Sequence, residues 1–258
     1  IKVGIITMAS SIENKNFKEM KTIKLLILSS VVLLFVNTGC IEDFTILGNG
    51  ISVTEGRITN EFNQVISEGA FNVHITKGQE FEVIVNAESN ILPYIETDVT
   101  GNNLRIHING FHIVKNRLPM EVYITLPYLD KVVQSGSGEI TTDFFVAENF
   151  NLVISGSGSI ETAIDAIIID ALISGSGNLF LSGNANIANF IISGSGEIDA
   201  YEFDLRDCNA KISGSGNLWT NVQRFLIASI SGSGSIYYYG NPNIETHISG
   251  TGRVIKGN

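Results

Sequence analysis

Aliphatic and polar residues repeat with a period of about twenty along the second half of this chain. The residue before the first serine of each repeat is isoleucine in six repeats and Gln134 in the other, and the residue five places after that serine is Ile, Leu or Val. Between these columns stands Ser-Gly-Ser/Thr-Gly, at spacings of 20, 19, 19, 20, 18 and 18 residues, with first serines at Ser135, Ser155, Ser174, Ser193, Ser213, Ser231 and Ser249. A fixed period of this length indicates a solenoid.

One repeat shows which side chains face inward. Side chains alternate along a strand, so Ile192 and Ile198 share a face with the two glycines between them, whereas Ser193 and Ser195 share the other. Coils stacked about 4.8 Å apart then form aliphatic columns inside and serine columns outside. We predict an all-β fold, a parallel β-helix or β-solenoid of about 18–20 residues per coil over residues 131–258, with hydroxyl hydrogen bonds along the serine ladders. A flexible Gly-Ser linker would lack such columns.

Residues 57–130 have a looser β pattern. Short apolar runs at 71–75, 81–85, 104–108 and 122–126 alternate with turn signals such as Lys77-Gly78. The segment from Ile66 to Phe71 resembles a degenerate copy of the repeat. We predict less regular β coils here, continuous with the solenoid, so that residues 57–258 form one domain; a separate sheet is the alternative.

The amino-terminal segment has the features of an export signal. Residues 20–39 combine lysines, a short apolar stretch and small residues before Cys40, and the stretch is too short for an ordinary transmembrane helix. The Thr-Gly-Cys ending resembles a lipobox, although Asn37 replaces the usual aliphatic residue. We predict a lipoprotein signal peptide with lipidation at Cys40, an upstream non-structural segment over 1–19 and a tether over 40–56. Ordinary secretion and a retained anchor are the alternatives.

Charge and cysteine content limit the classes of function. Residues 1–39 hold five of the 16 Lys and Arg residues and two of the 26 Asp and Glu residues, so their removal changes the net charge from −10 to −13. An acidic chain is a poor ligand for nucleic acid, or for an anionic membrane surface through a basic patch. We therefore expect no nucleic-acid partner and membrane attachment only through the lipid. With Cys40 acylated, Cys208 has no disulfide partner and is interpreted as a structural thiol at a coil corner.

Several segments resemble a known family when taken in order. They are the serial Ser-Gly-Ser-Gly-x-Ile units and the residues 62–73, 83–87, 102–106 and 122–129. Together they are similar to the head GIN domain family, labelled as an auto-transporter adhesin and common among exported Bacteroidetes proteins. The resemblance covers roughly residues 57–256. It implies a right-handed, all-β helical domain on an envelope protein, and it supplies no agreed catalytic residues.

Catalytic and metal chemistry have weak support in the sequence. Glycoside hydrolysis needs two carboxylates about 5 to 10 Å apart, and candidates stand on neighbouring coils at Glu161, Asp165, Glu197, Asp199, Glu202 and Asp204. A chain this acidic produces such pairs by chance. The four histidines have no metal-ligand spacing with a second histidine or cysteine and are interpreted as surface residues. We predict no catalytic, cofactor-binding or metal-binding residues, and no cofactor.

Aromatic residues give the best candidate for a binding face. Six residues after the first serine the column reads Thr141, Glu161, Phe180, Asp199, Trp219 and Tyr237, and alternation places it outside the coil. Tyr239 is close in sequence to Tyr237. Exposed rings beside carboxylates suit a sugar or a protein partner. The alternative is that these rings cover the last coils and block pairing between sheet edges.

The sequence thus favours a non-enzymatic envelope lipoprotein, exported and anchored in the outer membrane, that acts as an adhesin. Its expected partner is a glycan or a surface protein, held on the solenoid. A carbohydrate-active enzyme on a β-helix is the alternative in another class. A structural or stress-related envelope component without a ligand is the third. The sequence leaves the oligomeric state open.

Overall fold

The computed structural model describes residues 44–257, and a compact unit begins at Thr45. The unit is built from β-strands and one short 3-10 helix at Leu92–Tyr94. No helix in the described range is both long and apolar enough to span a membrane. The predicted signal peptide, the lipidation site Cys40 and the upstream segment lie outside the described residues.

The regular half is a stack of long parallel strands, each of which follows one coil. These strands are β11 (Glu139–Gly156), β12 (Ser159–Gly175), β13 (Asn178–Gly194), β14 (Glu197–Gly214) and β15 (Asn217–Gly232). The first serines of successive repeats are paired, beginning with Ser135 and Ser155. The stack ends with β16 (Ser235–Tyr239), β17 (Asn243–Gly250) and β18 (Arg253–Lys256), of which β16 and β17 pair with β15, and β18 pairs with β16. The predicted β-solenoid is confirmed.

The aliphatic columns form the core, as alternation requires. Ile192 and Ile198 are at most 1% exposed, and the isoleucines before the tetrapeptides of β11, β12, β14 and β15 are at most 2% exposed, whereas Ile248 on β17 is 46% exposed. Ser193 and Ser195 face solvent. Each buried aliphatic side chain contributes about 1.5–3 kcal/mol through removal from water. Since neighbouring coils share these columns, burial depends on stacking.

The tetrapeptide forms the corner at which each long strand ends and the next begins. Gly194 has a φ of +132°, and a Cβ there would collide with the carbonyl oxygen of Gly175 on the preceding coil. A Cβ on Gly196 would stand 2.6 Å from Cγ2 of Ile173. Glycine is therefore required by both backbone conformation and close approach.

Main-chain hydrogen bonds join these corners. The Ser195 N–H donates to the Gly175 carbonyl at 2.9 Å, and equivalent bonds recur from coil to coil. Among the tetrapeptide hydroxyls of residues 44–257 there is one side-chain hydrogen bond, donated by Thr251 to Ser233 at 3.1 Å. The expectation of continuous hydroxyl ladders was wrong, because equivalent serines stand one strand spacing, about 4.8 Å, apart and outward-pointing hydroxyls at that distance are beyond hydrogen-bond reach.

Antiparallel pairs distinguish the first half from the regular coils. Its strands are β1 (Thr45–Leu47), β2 (Ser52–Arg57), β3 (Gln64–Gly69), β4 (Phe71–Lys77), β5 (Glu82–Glu88), β6 (Ile95–Thr100), β7 (Asn103–Ile108), β8 (Ile113–Lys115), β9 (Met120–Leu126) and β10 (Lys131–Gly136). Strands β3 and β4 pair in parallel with β10 and β11, so the hydrogen bonding runs on into the solenoid. The pairs β2–β5, β5–β9 and β6–β7 are antiparallel.

The expected tether over residues 40–56 needs a correction. Within that range, β1 pairs with β8, and β2 lies antiparallel to β5. The carboxylate of Glu88 on β5 accepts the backbone N–H of Gly50 between these strands at 2.5 Å. Residues from Thr45 onward therefore belong to the folded unit. Sequence patterning missed them because β1 is short and β2 carries few apolar residues.

Candidate functional site

Five of the six predicted binding residues form one outward-facing column. Register pairs Glu161 with Phe180, Phe180 with Asp199, Asp199 with Trp219, and Trp219 with Tyr237. We call this column the aromatic–acid ladder. Its members lie on successive strands, which are about 4.8 Å apart. Phe180 is 46% exposed. The column exists because these residues occupy the same place after each corner, where alternation turns the side chain to solvent.

Stacked rings form the carboxyl-terminal end of the ladder. The Trp219 and Tyr237 rings have centroids 5.3 Å apart and planes inclined by 8°. Tyr239, the sixth predicted residue, lies two positions further along β16 and makes an edge-on contact with Tyr201, at 4.5 Å between centroids. Tyr201 belongs to β14, so its ring reaches across β15 to make this contact.

An irregularity in β14 presents Tyr201 to solvent. Ala200 pairs with Thr220 and Asp204 with Asn221, so three residues of β14 have no counterpart in β15. Tyr201 is 51% exposed. Bulges of this kind redirect side chains and are common beside binding sites. The repeat spacing did not reveal Tyr201. Columns were assigned by counting a fixed number of residues from each serine, and this count does not detect extra residues within one coil.

Two shallow recesses share the centre of the ladder. One, of about 220 Å³, is lined by residues that include Glu161, Phe180, Asp199 and Tyr201. The other is about 240 Å³, and we call it the ladder recess; it is lined by Phe180, Glu197, Asp199, Tyr201 and Trp219, together with Asn178 and Leu179. The short side chain of Asp199 between the bulkier Phe180 and Trp219 leaves this depression in the surface.

The recesses carry uncompensated negative charge. The Asp199 carboxylate accepts the backbone N–H of Tyr201 at 3.1 Å, and Glu197 accepts a bond from the side chain of Asn217 at 3.5 Å. Across residues 44–257, the ion pairs involve other carboxylates, and neither recess has a Lys, Arg or His in its lining. A cationic or hydrogen-bond-donating ligand therefore meets carboxylates that no local cation neutralises.

The same column extends toward the first half of the fold. Thr141 precedes Glu161 in register, His74 precedes Thr141, and Tyr123 precedes His74. His74 stacks on Tyr123 at 5.1 Å, and its Nε2 lies 2.7 Å from Oε2 of Glu121. Sequence analysis placed Thr141 in the column but missed His74 and Tyr123, since the irregular coils carry no tetrapeptide from which to count.

The candidate catalytic carboxylates divide among different columns. Glu161 and Asp199 share the ladder, two strand spacings or about 9.6 Å apart along the stack, with Phe180 between them. Asp165 and Asp204 belong to another column, in which Asp204 accepts a bond from Asn221 at 2.7 Å. The ladder pair has the Phe180 ring between its two carboxylates, whereas Asn184 stands between Asp165 and Asp204.

One histidine lies beside two acids that its sequence spacing did not indicate. The antiparallel β6–β7 pair brings His107 close to Glu96 and Asp98, with possible ligand atoms all within 4.8 Å of one another. His107 Nε2 is 3.2 Å from Glu96 Oε2. Glu96 also accepts a bond from Asn109 at 2.5 Å. These contacts already pair the half-buried Glu96, and the interpretation of His107 as a surface residue was wrong, because its side chain is only 14% exposed between the two strands.

Cys208 lies in the core of β14. It is 3% exposed and stands in register between Ala188 and Leu226, so it faces inward along the coil. Burial raises the pKa of its thiol to about 12. The interpretation as a structural thiol agrees with this position, whereas the expected coil corner does not, because Cys208 is inside a strand.

These features define a class: a β-solenoid whose outer surface carries a continuous aromatic and acidic column. The chain belongs to the family described as "Putative auto-transporter adhesin, head GIN domain", which matches residues 61–242. The resemblance stated from the sequence is confirmed. No curated protein matches the chain.

Solved structures share this fold. A "putative adhesin" from Bacteroides fragilis is 24% identical with a TM-score of 0.76, covering 82% of this chain and 99% of that one. A "Putative lipid binding protein" from Parabacteroides distasonis is 22% identical with a TM-score of 0.70, covering 83% and 100%. A "putative adhesin" from Parabacteroides merdae is 21% identical with a TM-score of 0.69, covering 83% and 99%. At these identities the similarity establishes the fold.

Proposed function

We propose that this chain is a non-enzymatic adhesin of the cell envelope that holds a glycan or protein partner on the aromatic–acid ladder. The observation that carries the proposal is the outward-facing column of Glu161, Phe180, Asp199, Trp219 and Tyr237, in which Phe180 is 46% exposed and the stacked Trp219 and Tyr237 are half-buried. The family description and the names of two structural relatives support the adhesin class.

The physical chemistry of the ladder suits adhesion. Aromatic rings supply large contact areas with few torsions to restrict, and they dominate the energetics of many interfaces. Carboxylates beside them accept hydrogen bonds from sugar hydroxyls or protein donors. The stacked coils hold these groups at fixed spacings, so little conformational entropy is lost on binding.

The proposed attachment to the membrane is a lipid on Cys40. The export features over residues 20–39 and the Thr-Gly-Cys sequence support it. The first described strand begins at Thr45, so few residues separate the proposed lipid from the folded unit. This placement would hold the solenoid close to the outer membrane.

The experiment is a binding comparison on one panel of glycans, surface proteins and lipid vesicles. Vesicles belong in the panel because one structural relative is named as a lipid binding protein. The purified full chain is compared with Trp219→Ala/Tyr237→Ala and with Phe225→Ala, which removes another exposed ring from the same strand, six residues beyond Trp219. Circular dichroism checks that each variant keeps its fold.

For the panel member that binds the wild type, we expect the double variant to lose at least about tenfold in affinity, which corresponds to about 1.4 kcal/mol. We expect Phe225→Ala to bind that partner normally. Unchanged binding by a folded double variant would remove the proposed face. An absence of any partner on the panel would favour a structural envelope component.

A polysaccharide-acting enzyme is the second candidate, and one observation favours it. Glu161 and Asp199 flank Phe180 at a strand separation close to that of the carboxylate pairs of inverting glycosidases. Incubation of the protein with a polysaccharide panel, followed by chromatography of the products, tests it. Cleavage that disappears in both Glu161→Gln and Asp199→Asn would replace adhesion with catalysis.

A further inference from the structure

We propose that the ladder recess binds an organic ammonium group carried by the partner. This inference rests on the proposed function, because it assigns ligand chemistry to the same face. The recess combines carboxylates, the exposed rings of Phe180 and Tyr201, the half-buried ring of Trp219 and a volume of about 240 Å³ that opens to solvent. Few ligand groups gain from all three features together.

The aromatic lining comes from three different coils. Phe180 is on β13, Tyr201 on β14 and Trp219 on β15. Phe180 and Trp219 are separated by two strand spacings, about 9.6 Å, with the smaller Asp199 between them in register. A rounded group can therefore enter between the two rings, above the carboxylate.

The orientation of the Trp219 indole leaves one face for a ligand. Tyr237 on β16 stacks against one side of it, nearly parallel. Strand β14, which carries Asp199, pairs on the opposite side of β15. The second face of the indole is thus turned toward the ladder recess. Indole is the aromatic group that binds cations most strongly through its face.

Charge then selects the ligand class. Glu197 and Asp199 line the recess, and its described lining contains no lysine, arginine or histidine. Within residues 44–257, the hydrogen bonds to these carboxylates are one from the Tyr201 N–H and one from Asn217. A neutral sugar could stack on the rings but would leave the negative charges unpaired. An ammonium group gains from the rings and from the carboxylates at once.

The chain provides its own reporter for the test. Trp219 is its single tryptophan, so tryptophan fluorescence reports from the wall of the recess. The full chain is titrated with choline and, separately, with 3,3-dimethylbutan-1-ol, which has the same shape without the charge. n-Butylammonium provides a third titration for a primary amine, and calorimetry gives an independent affinity.

We expect choline to change the Trp219 fluorescence saturably and to bind at least about tenfold more tightly than its neutral isostere. Asp199→Asn and Phe180→Ala should each weaken choline binding at least about fivefold. The matched controls are Asp170→Asn, which removes an exposed carboxylate nine residues beyond the ladder position on β12, and Phe225→Ala. Both controls should bind choline like the wild type.

The primary amine identifies the form of the ammonium group. If butylammonium binds as tightly as choline, the proposal is supported and the recess accepts primary ammonium groups such as that of lysine. A preference for choline supports it for quaternary ammonium groups. Equal binding of choline and the neutral isostere, or no binding of either cation, would overturn it, as would a folded Asp199→Asn variant that binds choline normally.

The two proposals fail in different ways. If the binding panel shows a partner lost in Trp219→Ala/Tyr237→Ala while choline neither binds nor competes, the cation site is wrong and the adhesive face stands. If choline binds the recess with the expected charge dependence but Trp219→Ala/Tyr237→Ala binds the panel partner as tightly as the wild type does, the cation site stands and the proposed adhesive face is wrong.

Discussion

The rings of Trp219 and Tyr237 stack almost in parallel on neighbouring strands, 5.3 Å apart between centroids. Their spacing is close to the strand spacing itself. On its other side Trp219 is in register with the shorter Asp199. The stacking of coils that buries the aliphatic core thus also fixes the distance between side chains of the aromatic–acid ladder.

The corner glycines give the first prediction. Gly194→Ala introduces a side chain at a φ of +132° and against the Gly175 carbonyl, so we expect it to lower the free energy of unfolding by about 2–5 kcal/mol. Gly56→Ala is the matched control, because a Cβ there meets nothing within 4 Å. Urea unfolding measures both. Similar stabilities for the two variants would mean that the corner tolerates a side chain.

A second prediction concerns the one gap in the isoleucine column. Gln134 is fully buried between Ser67 and Ile154 in register, and neither polar atom of its amide has a hydrogen-bond partner in residues 44–257. Gln134→Ile should raise the free energy of unfolding by about 1–3 kcal/mol, since it removes an unsatisfied polar group and continues the column. Ile154→Gln should do the reverse. Destabilisation by Gln134→Ile would show that the amide is satisfied.

The pH dependence of stability tests Glu88. Burial alone would raise the pKa of its carboxyl, but N–H donors from Arg117, Gly50 and Leu118 outweigh burial, so the pKa lies below its ordinary value. The ionised Glu88 carboxylate therefore stabilises the fold at pH values above the pKa that Glu88 has in the unfolded chain. This stabilisation is lost as the pH falls through the lower pKa that Glu88 has in the folded protein.

We expect Glu88→Gln to be less stable than the wild type at pH 7 and to lose less stability on acidification, as thermal unfolding between pH 7 and pH 3 would show. Glu148→Gln, at an exposed carboxylate in the same sheet, should keep the wild-type profile. Parallel profiles for wild type and Glu88→Gln would contradict the role assigned to this carboxyl.

The buried thiol supplies a fourth prediction. Because burial raises the pKa of Cys208 to about 12, it should not react with a disulfide reagent such as DTNB in the folded protein at pH 8. In 6 M guanidinium chloride it should react at once. The Cys40→Ala background removes the other cysteine of the chain. Rapid labelling of the native protein would mean that the coil opens at β14.

The sequence predicted the features that depend on the repeat. The inward isoleucines and the ladder from Glu161 to Tyr237 follow from a fixed offset and the alternation of strands, whereas the corner at each tetrapeptide was found only in the structure. Features outside the repeat were missed, because they depend on pairings between distant segments. Tyr201 reaches the ladder through extra residues in β14, and the antiparallel strand β2 carries no periodic apolar signal.

Side-chain footprinting tests the adhesive ladder most directly. Hydroxyl radicals oxidise solvent-accessible aromatic side chains. The oxidation rates of Trp219, Tyr237 and Phe225 can therefore be compared by mass spectrometry in the free protein and in its complex with the partner found on the binding panel. The account predicts strong protection of Trp219 and Tyr237 and an unchanged rate at Phe225. Protection of Phe225, with Trp219 and Tyr237 oxidised as in the free protein, would contradict it.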